Sequence, residues 1–583
     1  MFRRVVLTVL VAICAGFSAP GRAWLASVGH AQQSGSIADL KTTAEASGFK
    51  STSTYEDVVK FMKAVDAASP NIFYATYGKT AEGREMPLAV VGTGLKDASA
   101  ASVRATNRLR VHIQGNIHAG EVEGKESAQI LLREFAMGQH ADWLKTTVFI
   151  VTPIYNIDGN EKFGQNRGRQ NGPINGMGTR AQAQNINLNR DYMKLDAPEG
   201  QASAKLWVDY DPHVGFDLHT SNGSCHAYYL TYSPPLNPNT SVHIMDTMKA
   251  EWFPFVTKNV KAKHGWNMFY YGNTSPGGCP AAGRGRGRGD APAAGGDPAG
   301  RGGVAQTPPP PAQPAPPPAA TGPRAWGTFE HVPRFHNNYV GLRNRFALLS
   351  EAYSYATFED RIKATNYFME EALNFAHQNA DRLKKETMAA DKEPLVGKSL
   401  ATRARIKSGG LIEILMGEVE EEVNPVSGAV MFKRKDVVKP EQMTDRLWFE
   451  PTATEEVPIE YYIPAAATGA TDLLRKHGIF MRQVTTPVKG VEQFVITANT
   501  ARPPTGSIDT QQHALRTLEG KWEPAADMTV PAGSWAVPMN QPWARLAFYL
   551  LAPTSDDGLT TWNFLDDMLK KEDVKVYPIL RRR

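Results

Sequence analysis

The stretch RLRVHIQGNIHAGEVEGKES, from Arg108 to Ser127, decides how this chain folds. Arg108 to Gln114 (RLRVHIQ) opens it as a short, largely apolar run, which suits a strand buried on both faces of a sheet. Gly115 to Glu121 (GNIHAGE) then turns polar, and Ser127 to Ala136 (SAQILLREFA) has helical spacing. The same order recurs along the chain. Thr147 to Ile154 (TVFIVTPI), Val214 to Leu218 (VGFDL) and Phe346 to Ser350 (FALLS) read as further buried strands. They are followed by Tyr155 to Gly159 (YNIDG), His219 to Ser221 (HTS) and Glu351 (EAYSY). A helix is predicted over Thr365 to Lys385, where Phe368, Leu373, Phe375 and Leu383 fall near helical spacing. Strands alternating with helices make the fold class α/β.

In open α/β sheets, ligands bind outside the carboxyl ends of the strands. His118, Glu121, His219 and Glu351 all sit at such ends and are predicted to converge on one rim. Between His219 and Glu351 lies Ser275 to Arg324, fifty residues of which 25 are Gly or Pro, with almost no large apolar side chain. It cannot form a core and reads as a disordered insertion. Because Glu351 lies beyond it and the other three residues before it, the insertion is expected to be a loop within one domain.

The rest of the chain has an ordinary composition, and its full length of 583 residues allows about three or four domains at ~150 residues each. The only long apolar run starts at Val5, too short and too terminal for a multi-span membrane protein, which excludes a transporter or channel. Arg3 and Arg4 precede that run, and small residues surround a cut after Ala31, so residues 1–31 read as an export signal. The mature protein is then expected in the periplasm or outside the cell, with no stable membrane insertion. Removal takes away Arg3, Arg4 and Arg22 and no acid, lowering the net charge from +5 to +2, and no charge argument favours nucleic acid. Of the three cysteines, Cys225 and Cys279 remain, so at most one disulfide is possible.

His118 and Glu121 stand three apart, a spacing that lets an imidazole nitrogen and a carboxylate oxygen reach one ion as a strand turns into a helix. His219 supplies a third ligand. Two histidines and one carboxylate with a position left open for water describe a hydrolytic zinc site. The H-E-x-x-H helix motif is absent, which excludes that class of metalloprotease. A carboxylate such as Glu351 within reach of the water can serve as general base. Arginine, always charged and planar, suits a fixed carboxylate or a developing oxyanion.

Taken together, YGKTAEGREMPL from Tyr77, QGNIHAGEVEGKES, PIYNIDGNEKF, NINLNRDY, FDLHTS and LLSEAYSY resemble the zinc carboxypeptidase family over about residues 50–385. The resemblance implies a mixed, mostly buried central sheet flanked by helices, and a catalytic domain over 32–390 holding one zinc ion. It implies His118, Glu121 and His219 as zinc ligands and Glu351 as general base, then acid. Asn189 and Arg190 match the pair that holds a substrate's terminal carboxylate. The arginine that polarises the scissile carbonyl should lie between Asp158 and Asn189. Arg167, Arg169 and Arg180 compete for that place, and the match favours Arg167. The substrate-side tyrosine is matched by Tyr339 in HNNY, with Arg334 and His336 as pocket residues. One departure stands out: where the family has Asp two places before the Asn-Arg pair, orienting a zinc-bound histidine, this chain has Asn187. An amide accepts a ring N–H but brings no charge, and losing such a partner lowers metal affinity by up to ~10- to 100-fold.

From about Glu393 the chain changes to short β-rich runs, GLIEILMG, VPIEYYIP and EQFVITA, with helical pieces near Thr471 and Thr561. Residues 393–583 are therefore expected to form a β-rich accessory domain, in which His477 and His513 stand alone and read as packing residues. The functional expectation is a secreted zinc carboxypeptidase acting on peptides with a free C-terminal carboxylate. Two alternatives are a zinc amidohydrolase of the same superfamily, acting on acyl-amino acids or cell-wall peptides, and an inactive binding module. The last predicts a lost ligand or base, and neither is lost here.

Overall fold

A computed structural model describes residues 36–164, 167–221, 223–275, 279, 324–570 and 573–583. The expected export signal and the interior of the Gly/Pro stretch lie outside the described residues, apart from Cys279. Ten strands place the site: β1 (Ile72–Lys79), β2 (Glu85–Val91), β3 (Leu109–Gly115), β4 (Thr147–Thr152), β5 (Val214–Ser221), β6 (Leu230–Ser233), β7 (Met268–Tyr270), β8 (Asn273–Ser275), β9 (Ala325–Gly327) and β10 (Phe346–Tyr353). Eight of them form one mixed sheet in the order β1-β2-β4-β3-β5-β10-β6-β7. The inner strands β4, β3, β5 and β10 are mutually parallel, while β1, β2 and β6 join antiparallel. Every residue of β4 and β5 is buried, including the polar Asp217, His219, Thr220 and Ser221 of β5. Helices Tyr55–Ala68, Glu123–Ala136, Phe253–His264 and Phe358–Gln378 pack along the sheet, and Pro198–Asp209 and His336–Leu342 lie against β1, β5 and β10.

Three boundaries differ from the sequence reading. Strands β5 and β10 continue to Ser221 and Tyr353, so His219 and Glu351 belong to the strands rather than following them. The helix expected at Ser127 begins at Glu123, because its first turn is held by buried polar groups that apolar periodicity does not register. Lys125 donates to Asn160 Oδ1 at 2.6 Å, and Glu126 accepts from Thr52 and Ser53. The helix expected over Thr365–Lys385 is two, Phe358–Gln378 and Ala380–Lys392, parted at Asn379. The first starts early because Thr357 caps it, accepting from the Asp360 N–H at 3.1 Å.

Residues 393–583 are β-rich as expected, with strands at Leu411–Met416, Glu460–Ile463 and Val491–Ala501 covering the flagged runs and a helix at Thr468–Lys476. Thr561 lies in turns, not a helix. All eight residues of the helix Ala544–Leu551 are buried, Arg545 included, so no exposed face marks it in the sequence. Its Leu546, Phe548 and Leu550 share one apolar cluster with Trp207, Phe216 and Leu348 of the preceding segment. Arg545 ties the same seam, donating to Asn239 O at 2.8 Å and Asn344 Oδ1 at 3.0 Å. The two segments thus share a core across the expected boundary.

Strands β8 and β9, which bracket the Gly/Pro stretch, pair antiparallel with Ser275 opposite Ala325, and β9 pairs parallel with Lys439–Arg446. Cys225 and Cys279 are disulfide-bonded, with Cα atoms 4.8 Å apart. Since the ends of the stretch are already joined, replacing residues 280–323 with a short Gly/Ser linker and keeping Cys279 should preserve thermal stability and zinc content. Closure entropy changes by only about 0.6 kcal/mol per halving of a loop. A large drop in melting temperature measured by calorimetry would contradict this.

Candidate metal centre and active site

His118 and Glu121 are delivered by the loop between β3 and the helix at Glu123. Asn116 adopts the left-handed conformation there (φ 64°), which Asn tolerates better than most residues, and its amide donates to the carbonyls of Ala119 and Glu121 at 3.3 Å each. Gly124 lets the helix approach β5: a Cβ at that position would stand 2.5 Å from Leu218 Cβ, one residue before His219. The consequence is a buried cluster in which both Nδ1 atoms face one carboxylate. His118 Nδ1 lies 3.0 Å from Glu121 Oε1, and His219 Nδ1 lies 2.8 Å from Glu121 Oε2. One ligand atom from each residue lies within 4.8 Å of the others, making this the group able to hold a metal ion among the described residues. The donor set of two imidazoles and one carboxylate fits zinc.

The outer nitrogens are fixed by different partners. His219 Nε2 meets Asp217 Oδ2 at 2.8 Å, and Asp217 also accepts from Gln114 at 3.1 Å. His118 Nε2 meets the Asn187 carbonyl oxygen at 3.0 Å. The charges respond accordingly. Burial pushes the His118 imidazolium down to about 3, so this ring is neutral. Burial opposes protonation of His219 too, but Asp217 and Glu121 reverse the balance and raise it well above 6.5. Burial alone would raise Glu121; the Arg167 charge and both histidines instead hold it well below its ordinary 4.5.

Glu351 stands opposite His219 in the parallel β5/β10 register, so the two side chains leave the sheet on the same face from adjacent strands. Burial, with the nearby Glu121 charge adding to it and His219, Arg167 and Arg180 opposing, pushes its carboxyl up to about 8. Of the three arginines left open, Arg169 points away, 3.6 Å from Glu421 and over the Phe432 ring. Arg167 donates to Glu121 Oε1 at 2.7 Å, Thr220 O at 3.2 Å and Gln170 Oε1 at 3.2 Å. Arg180 makes a single looser pair, 3.6 Å from the same Glu121 oxygen, and is the more exposed. Arg167, which the match favours, is thus the more tightly held of the two, by Glu121, Thr220 and Gln170.

Asn189 and Arg190 lie in a short turn beside the cluster. The Asn189 N–H donates to Asn187 Oδ1 at 3.1 Å, and its side-chain oxygen accepts from the His336 N–H at 3.1 Å. The Arg190 guanidinium stacks 3.7 Å from the Phe335 ring centroid, and burial pushes it down to about 10. Tyr339 does not reach this rim. It sits on a helix whose residues are all buried, and its hydroxyl is 3.0 Å from His477 Nδ1 and accepts from Arg343 at 3.2 Å. His336 is likewise interior, 3.7 Å from Asp217 and behind His219. Arg334 pairs with Asp557 at 3.0 Å and lines a cavity of about 280 Å³ with Glu330, Arg403 and Arg502. His477 and His513 are packing residues: His477 meets Met193 O, and His513 meets Asp196 at 2.9 Å.

Three residues of the site escaped the sequence reading. Asp217 was legible in FDLHTS, two before His219 and thus on its face of the strand. Tyr271 gave no signal. Its hydroxyl accepts from Asn273 at 3.1 Å, and burial, then the charges of Glu351 and Glu121, raise it. The third, Asp509, comes from the C-terminal segment and bonds Asn187.

Residues 58–279 match the family described as zinc carboxypeptidase. That span holds His118, Glu121, Arg167, Arg180, Asn189, Arg190 and His219 and ends before Glu351. Carboxypeptidase 2 of Trichophyton rubrum is 29% identical over 169 residues, 28% of each chain. Carboxypeptidase 2 of Trichophyton tonsurans is 30% identical over 145 residues, 24% of this chain and 23% of the relative. The chain thus spans about a quarter of the length of these relatives. Among solved structures, a metallo-carboxypeptidase from Burkholderia cenocepacia covers 56% of this chain and 70% of its own, at 16% identity and a TM-score of 0.37. Carboxypeptidase A from Helicoverpa armigera covers 61% and 78%, at 13% identity and a TM-score of 0.37.

Proposed function

With residues 58–279 carrying the zinc carboxypeptidase match, we propose that this protein is an exported carboxypeptidase that removes C-terminal residues from peptides. The observation that carries the reading lies partly outside the matched span: β10 sets Glu351 beside His219 and the buried His118–Glu121–His219 cluster. His118, Glu121 and His219 would hold a zinc ion, which would supply a Lewis acid and make a nearby water acidic enough to ionise at about pH 7. Glu351 accepts the water's proton as the oxygen adds to the scissile carbonyl, then returns a proton to the departing amine. Its raised affinity for protons in the metal-free site suits the returning half, and a cation bound beside it would favour the ionised form that the accepting half needs. Arg180, the freer guanidinium beside Glu121, polarises the carbonyl oxygen while Arg167 holds the Glu121 carboxylate. Arg190 pairs with the substrate's terminal carboxylate, with Asn189 beside it. Export is supported by the Cys225–Cys279 disulfide, which persists in oxidising compartments, and by the signal-like residues 1–31.

Metal analysis and product analysis test this together. The expected result is one zinc per chain and stepwise release of C-terminal amino acids from a mixed peptide panel. Release should stop on chelation and return with zinc. Release of internal fragments, or cleavage confined to acyl-amino acids, would replace the reading with an endopeptidase or amidohydrolase.

A further inference from the structure

The two histidines of the metal cluster are supported unequally at first sight. His219 has a carboxylate, Asp217, directly on its outer nitrogen, whereas His118 has only the Asn187 amide. The amide, however, is bonded at both ends. Asn187 Oδ1 accepts from His118, and Asn187 Nδ2 donates to Asp509 Oδ1 at 2.7 Å. Asp509 is 322 residues away in sequence, on a loop of the C-terminal segment. That loop is anchored at three points: the Asn187 N–H donates to Ile508 O at 2.9 Å, Gln511 donates to Asn185 O at 3.4 Å, and Asp509 stands 4.0 Å from Arg190 Nε.

We propose that Asp509 is a positioning residue for the metal centre, lending His118 the charge of a carboxylate through the Asn187 amide, so that the C-terminal segment completes the active site. The chain His118–Asn187–Asp509 is the counterpart of the direct His219–Asp217 pair. A hydrogen-bonded amide passes polarisation along: drawing its N–H toward a carboxylate makes its carbonyl oxygen a better acceptor, which favours an electron-rich ring on His118. Burial works against an ionised Asp509, but the Arg190 charge, the Asn187 bond and the Arg180 charge hold its carboxyl below the ordinary range. The same carboxylate partly neutralises Arg190 at a long 4.0 Å separation, leaving that guanidinium able to take a second anion. The inference rests on the metal centre proposed above and is independent of which bond the enzyme cuts.

The test measures zinc affinity by competition with a chromophoric chelator, on the full-length chain. Native protein is the first arm: failure to bind zinc would remove the metal-centre reading itself. If zinc binds, Asp509→Asn, which keeps the size and removes the charge, should weaken it by about 10- to 100-fold. The exchange variant Asn187→Asp/Asp509→Asn puts the carboxylate directly on His118, with an amide behind it to donate back. It should recover most of the lost affinity, a readout that a merely structural role would not move. Unchanged zinc affinity in Asp509→Asn overturns the proposal. So does a loss that the exchange fails to recover, or unfolding of Asp509→Asn seen by circular dichroism, since either makes Asp509 a packing residue.

Discussion

Glu351→Gln is expected to keep its zinc and its peptide affinity while turnover falls by about 10²- to 10⁴-fold, the usual cost of losing a general base. Glutamine keeps the shape but cannot take a proton, and Glu351 is not among the three groups that face one another in the cluster. Single-turnover kinetics alongside metal analysis separate the two effects, and an active variant would move the base elsewhere, with Glu330 next to be tested. The same substitution has a signature in the metal-stripped protein. Glu351 titrates at about 8 in the fold against an ordinary 4.5, so the folded state binds its proton more tightly than the unfolded chain does. That contribution is fully present below pH 4.5 and is lost as pH rises through 8. Glutamine does not titrate, so the variant should gain stability relative to the native chain across that window. Melting temperatures that differ by a constant amount from pH 4.5 to 8 would contradict the assignment.

Removal of the Arg190 guanidinium should erase most of the preference for a peptide acid over its C-terminal amide. Leaving a desolvated carboxylate without its partner costs roughly 2 to 5 kcal/mol, about 30- to several-thousand-fold in kcat/KM. The setting favours a large effect. Arg190 is stacked on Phe335 and pushed down to about 10 by burial, with the charges of Asp509, 4.0 Å away, and Glu330 opposing. Arg190→Ala should retain zinc, because the guanidinium touches no member of the metal cluster. Native protein that cuts acid and amide equally well would end the exopeptidase reading.

Much of the site was legible because it is built from short-range geometry. A strand ending in a polar turn fixes where its last side chains point, so the grouping of His118, Glu121, His219 and Glu351 was readable from three strand ends and their spacing. Asp217 was equally accessible, since alternate strand residues share a face. The buried polar start of the helix at Glu123 and the helix Ala544–Leu551, buried on every side with Arg545 included, were not legible, because their burial does not follow residue polarity.

The sequence alone therefore determined the α/β class and the grouping of His118, Glu121 and His219 with Glu351 beside them, all of which depend on residues a few positions apart or on the ends of buried strands. Tertiary structure decided what depends on closure of the chain over long separations. It turned Tyr339 inward onto His477, distinguished Arg180 from Arg167 by the partners each one meets, and carried Asp509 across 322 residues to the amide behind His118. No local pattern encodes such contacts. They form only when the shared core of the two segments brings their loops together, and the side chain that arrives is chosen by packing, not by spacing.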